Sequence, residues 1–215
     1  MATKQPKMFA KTSDFIPCNE AELRWIFIDQ PGKENMQGKM CLNASIYVNK
    51  DSEGLKALRE ALAKFWDENK PAGAPKKPKS LGISKVKAKD ESGEDILDKN
   101  DEPTYTDEIA INFWTGAAWP DGKPHVIDIY NAKGNKISLG GKKIGNGSFG
   151  SISFAASIYD AGKGSQGVTL YLNAIQLTSF VEYTQEAGFG AEEGDFDGVP
   201  TEFDETVSDD AKPRL

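Results

Sequence analysis

The chain reads as a mainly β protein, a small barrel or sandwich that carries a single helix. Three observations lead there. Residues 39–48 and 149–160 alternate apolar and polar side chains with a period of two, the pattern of strands with one buried face. Signals rich in glycine, proline and asparagine separate the alternating segments, as in proteins built from many short strands. Helical periodicity occurs in one segment, 51–69, so the strand–helix alternation of a doubly wound sheet is missing.

Taken in order, residues 1–20 read as a flexible leader. Their first eleven positions are polar and basic and lack the apolar stretch of a secretory signal. Residues 23–29 (L-R-W-I-F-I-D) make a first strand, apolar on both sides, ended by the turn Gln30-Pro31-Gly32. Across 39–48, Met40, Leu42, Ala44, Ile46 and Val48 share one face; Lys39, Cys41, Asn43, Ser45 and Tyr47 share the other. Asp51 or Ser52 caps a helix running to about Asn69, with Leu55, Leu58, Leu62, Phe65 and Trp66 on one stripe. Residues 70–80 hold three prolines and form an extended basic loop; from 70 to 89 there are seven lysines and no acid. An acidic surface loop follows over 90–103. The next strand, 107–115, places Ile109, Ile111 and Phe113 inward and Ala110, Asn112 and Trp114 outward. Residues 125–130 make a further strand. In 149–160, Ile152, Phe154, Ala156 and Ile158 face inward and the serines outward. A glycine-rich hairpin loop, 161–167, leads to the last strand, 168–182, with a bulge near Ala174 where the apolar phase slips between Leu172 and Ile175. The expectation is about six strands over 21–185, with the helix between the second and third.

Charge divides the chain. The net charge is −7, and residues 191–215 carry all of it: nine acids against Lys212 and Arg214. The remainder is neutral. A segment so acidic and so poor in apolar residues cannot bury enough surface to fold, so 186–215 reads as a disordered acidic tail.

Several chemistries are disfavoured. One histidine, His125, argues against histidine-based triads and zinc sites. Cys18 and Cys41 lack metal-ligand spacing. Gly145-Asn146-Gly147-Ser148-Phe149-Gly150 matches G-x-G-x-x-G, yet it enters a strand rather than a helix, so it reads as a hairpin loop. Asp195-Phe196-Asp197-Gly198 lacks the further ligands of a calcium loop. No run of eighteen apolar residues occurs. The reading is a non-enzyme with no catalytic residue, cofactor or metal.

The aromatics point elsewhere. Tyr47, Trp114, Tyr130 and Tyr171 fall on the outward face of their strands, and Trp25 lies on the two-sided first strand. Aromatics beside lysines on a β-surface suit single-stranded nucleic acid, because every base offers a π-face and lysines track phosphates. The candidate binding residues are Trp25, Tyr47, Trp114 and Tyr130 with Lys39, Lys76, Lys77, Lys79, Lys85 and Lys143. A structural or adaptor β-domain is the alternative, and it leaves the lysine stretch and the aromatic face without a use.

The order of segments resembles the single-stranded DNA-binding proteins of tailed bacteriophages. The carriers are the Q-P-G turn, G-K-M-C-L-N-A-S-I-Y-V, the helix and Pro/Lys loop, I-N-F-W-T, I-Y-N-A-K-G, I-G-N-G-S, S-I-S-F-A-A-S-I-Y and V-T-L-Y-L-N-A-I-Q-L, over about residues 20–180. The resemblance implies an OB-fold and largely sequence-independent binding of single-stranded DNA. It implies work in phage replication, recombination and repair in the bacterial host cytoplasm. It further implies an acidic tail that contacts replication proteins and modulates DNA binding, here through Glu192, Glu193, Asp195, Phe196, Asp197, Phe203, Asp204, Glu205, Asp209 and Asp210. The family tail often ends on an aromatic among acids. This one ends Lys212-Pro213-Arg214-Leu215, with Phe196 and Phe203 further in.

Overall fold

The computed structural model describes residues 6–35, 38–162 and 165–184. Among them the strands are β1 (Lys7–Lys11), β2 (Glu22–Phe27), β3 (Lys33–Glu34), β4 (Met40–Asn49), β5 (Ile83–Lys87), β6 (Tyr105–Gly116), β7 (Asp128–Tyr130), β8 (Lys136–Ile137), β9 (Ser148–Asp160) and β10 (Gln166–Ser179). The helix α1 (Glu53–Asn69) lies between β4 and β5.

Five of the strands close a barrel in the order β9-β2-β4-β6-β10 and back to β9. Every neighbour is antiparallel except β6 and β10, which run parallel through the pair Trp114–Tyr171. With β2, β4, β6, β9 and β10 counted as strands one to five, this is the OB-fold-like barrel that the resemblance implies. The helix sits between its second and third strands. The inward face of β4 is as its sequence suggests, with Leu42, Ala44, Ile46 and Val48 buried and Met40 exposed at the strand's start, but Cys41 and Ser45 of the opposite face are buried too. Ile109, Ile111, Phe113, Ile152, Phe154, Ala156 and Ile158 meet them inside. The Ser52 side chain caps α1 by accepting from the Leu55 N–H at 3.4 Å, and all five stripe residues of the helix are buried. Pro71 follows the C-cap Lys70 and cannot continue the helix. The bulge anticipated near Ala174 is present, as a register shift between Leu172 and Ala174. At Gly150 the β9–β10 seam requires glycine, since a Cβ there would lie 2.0 Å from the Gln176 carbonyl oxygen.

Three expectations need correction. The leader does not end at residue 20 as loose chain: β1 pairs with β9 from Lys7–Ser157 to Lys11–Ser153, a short 3-10 turn follows at Thr12–Asp14, and Ile16 is fully buried. Thr12 ties this segment down, its hydroxyl accepting from the Ile152 N–H at 2.9 Å and lying 3.2 Å from Ser151 Oγ. For the same reason Ser151 and Ser157, read as outward, are buried beneath the N-terminal segment. The strand read over 125–130 shrinks to Asp128–Tyr130, while β3, β5 and β8 are too short for periodicity to register. The acidic tail, with all ten residues named in it, lies outside the described residues.

Candidate nucleic-acid interface

The outer wall of the barrel carries the aromatic residues, and a bulge in β2 decides where the first of them points. The β2–β4 register shifts between Arg24 and Phe27, so one extra residue is accommodated there. Trp25 takes it up with φ 56°, a left-handed conformation that a bulky side chain rarely adopts and that clusters at functional sites. Two distant asparagines hold it. Asn146 Oδ1 accepts from the Trp25 N–H at 3.0 Å, and Asn43 Nδ2 donates to the Trp25 carbonyl at 3.1 Å. The indole therefore lies outside, 53% exposed, and its Nε1 donates to the Tyr47 hydroxyl at 3.0 Å.

Trp25 and Tyr47 form one wall of a groove of about 670 Å3 whose other side is Lys85, Lys87 and Lys89, with the Asn146-Gly147 turn at one end. Arg24 stacks on the Tyr47 ring at 4.5 Å and is fixed by Glu22 and Glu108, at 2.6 and 2.9 Å. The hydrogen bond to Glu22 is the chief cause holding its guanidinium above its ordinary pKa; partial desolvation opposes, and Glu108 adds to the rise. That arginine stays charged and rigid, a platform under Tyr47 rather than a free cation. Lys87 and Lys89 share Asp95. Lys85 stands over the Tyr105 ring at 5.1 Å.

Four residues along β6 from Ala110, the partner of Tyr47, stands Trp114. It is 40% exposed, tilts against Tyr171 with ring centroids 5.3 Å apart, and donates from Nε1 to the Thr169 hydroxyl at 2.7 Å. At about 3.3 Å per residue the two aromatic groups are some 13 Å apart along the strands. Between them lie Ser45 and Asn112, joined at 3.0 Å. Phe27 belongs to the same surface, opposite Asn43, with Lys33 over its ring at 4.7 Å.

Of the residues proposed from sequence, Trp25, Tyr47 and Lys85 thus line one groove, and Trp114 shares their wall. Lys39 is exposed at the entry to β4. Lys76 and Lys77 are exposed on the loop after α1, outside the residues lining the groove. Lys79 is drawn toward the β9–β10 connection, its Nζ donating to Ser165 Oγ at 3.2 Å. Lys143 lies 3.7 Å from Asp29. Tyr130 is not with the others: it lines a separate depression with Lys11, Gly134, Ser153 and Gln176. Sequence reasoning missed Arg24, Lys87, Lys89 and Asn146. A basic run at alternate positions, 85, 87 and 89, was the available signal for the two lysines. Nothing local marks Asn146, because its partner is 121 positions away.

No protein-family model and no curated protein sequence matches the chain. Solved structures do. The single-stranded DNA-binding protein of bacteriophage Enc34, in complex with ssDNA, aligns with a TM-score of 0.50 at 15% identity, over 75% of this chain and 84% of that one. The chain shares its fold. The single-stranded DNA-binding protein gp2.5 of bacteriophage T7 aligns over 88% of this chain and 100% of its own, at 14% identity and a TM-score of 0.47. The second and third strands of the barrel are β4 and β6, which carry Tyr47 and Trp114.

Proposed function

We propose that the chain binds single-stranded DNA without strong sequence preference, on the outer wall formed by β2, β4 and β6. One observation carries the reading: exposed Trp25 and half-buried Tyr47 line a groove with the lysines at 85, 87 and 89, and exposed Trp114 lies further along the same β-surface. Exposed rings accept unpaired bases of any identity, and ammonium groups follow the backbone. The shared fold with a protein solved in complex with ssDNA supports it. In this reading Lys39, Lys76, Lys77, Lys79 and Lys143 add longer-range attraction, and Tyr130 is a peripheral contact. The chain binds and does not turn over a substrate. Its work is to protect and organise single strands during phage replication, recombination and repair in the host cytoplasm. The acidic stretch from Glu192 to Asp210 recruits replication proteins and tunes DNA affinity through its charge. Among the described residues no helix is long and apolar enough to cross a membrane.

The test is a titration of intrinsic tryptophan fluorescence with single-stranded and duplex DNA of equal length. Stacking demands unpaired bases, so the single strand should quench strongly and bind far tighter. Equal affinity for the two forms would remove the stacking surface as the site.

A further inference from the structure

The aromatic row does not stop at the second and third strands. Read across the strands, the registers align Phe27 with Asn43, Asn43 with Trp114, Trp114 with Tyr171, Tyr171 with Ala155, and Ala155 with Phe9. All six positions lie on the outer side of the sheet, and at about 4.8 Å per strand the row is some 24 Å long measured over the surface. Its far end is the N-terminal strand β1, which lies outside the five strands of the barrel. There Phe9 is 71% exposed, an unusual position for a phenylalanine, and Ala155 beside it on β9 is too small to hide the ring. Lys7, two residues earlier on the same face, sits 5.8 Å from the Tyr171 ring.

Beside Phe9 is a pocket of about 410 Å3 whose opposite side is a second stack, Trp119 on His125 with centroids 4.0 Å apart. Trp119 is 52% exposed. Tyr171 and Asn173 line its floor. The backbone anchors this stack: the His125 N–H donates to the Ala117 carbonyl at 2.8 Å, and the Trp119 N–H donates to the Lys123 carbonyl at 2.8 Å. The volume falls within the range of small-ligand sites, about 300–1,000 Å3. The chemistry is that of a nucleotide seat: rings on two sides, an ammonium for the phosphate, and an amide to meet a base edge.

We infer that this pocket is a second base-stacking station, and that a single strand crossing Trp114 and Tyr171 continues into it between Phe9 and Trp119. The inference rests on the reading of the outer wall as the DNA-binding face. It makes β1 part of the interface rather than a strap that only covers β9. It also gives the wall a length dependence. A short oligonucleotide is satisfied by the Trp25–Trp114 surface, and a longer one gains the additional station.

The experiment measures anisotropy of dye-labelled oligothymidylates of about 5 and about 15 nucleotides, the two ends of the footprint range for one such barrel. The proteins are the full chain and its Phe9→Ala, Phe9→Leu, Trp119→Ala and Trp114→Ala variants. Phe9→Ala and Trp119→Ala should each weaken the long oligomer by roughly tenfold and leave the short one within about twofold. Phe9→Leu, which keeps an apolar side chain on β1, should lose the same affinity, so a packing defect is separated from a lost ring. Trp114→Ala should weaken both lengths. If the Phe9 and Trp119 variants match the parent on both lengths while Trp114→Ala does not, the second station is overturned and the outer-wall reading stands. Equal losses on both lengths also overturn it, since the pocket would then be no extension. If the parent chain binds neither oligomer, the outer-wall reading falls and takes this inference with it.

Discussion

Phe113 and Trp114 are adjacent on β6 and belong to different parts of the molecule. Phe113 is fully inside, its ring 5.5 Å from Phe154, in the core closed by α1. Trp114 is outside, against Tyr171. The same division runs along β4, where Ile46 is core and Tyr47 is wall. In β4 and β6, strand periodicity builds the fold with one face and places Tyr47 and Trp114 on the other. Stability and binding should therefore separate between neighbouring positions.

The inner face should respond most. Phe113→Ala removes a fully buried ring and should cost about 3–5 kcal/mol of unfolding free energy, read from chemical denaturation. A loss below about 1 kcal/mol would mean that the core does not depend on this contact. Asn146→Ala probes the junction of the two faces. It deletes the acceptor that holds the Trp25 N–H, a net loss of about 0.5–1.5 kcal/mol in stability. Because Trp25 then loses its outward seat, single-strand affinity should fall as well, by as much as Trp25→Ala itself lowers it. Unchanged affinity in a folded Asn146→Ala protein would show that the left-handed conformation serves only the bulge.

The cations offer a finer comparison. Removing Lys85, Lys87 and Lys89 together should flatten the slope of log K against log salt by roughly 0.7 for each lost phosphate contact. Lys76 and Lys77 lie outside the groove lining, so their double alanine variant should change the slope less. A larger change from the 76/77 pair would move the DNA path toward the loop after α1. The smallest effect belongs to the acidic tail. Ending the chain at residue 184 removes its net negative charge, and should raise single-strand affinity several-fold at low salt, with the gap closing as screening increases. Matched affinities across a salt series would leave the tail as a solubility device.

The inner face was the legible part in sequence. The helix stripe, the inward residues of β4 and β9, and the slip at Ala174 follow local patterns, whereas the other face of β9 is covered by the N-terminal segment and its Ser151 and Ser157 are buried as well. The outer face was legible only as a list of aromatics. Trp25 could not be oriented, because its conformation depends on Asn43 and Asn146 across the barrel. Tyr130 has the same outward phase as Tyr47, yet it sits on β7, which joins the edge of β10 and faces a different depression. In the sequence β1 reads as leader because three residues between two lysines carry little periodicity; its pairing with β9 gives it structure. Closure of the barrel rests on the parallel Trp114–Tyr171 contact, which no short-range pattern encodes.

The most direct test of the division between the two faces is Trp114→Ala, followed in one preparation by thermal melting and by single-stranded DNA titration. The indole gives up its hydrogen bond to Thr169, which should cost stability no more than about 0.5–1.5 kcal/mol. The base stack should cost about 1–3 kcal/mol of binding, a loss of roughly five- to 150-fold in affinity. The variant should melt close to the parent and bind single strands far more weakly. A protein that melts much earlier, yet binds as tightly per folded molecule, would contradict the division between the two faces.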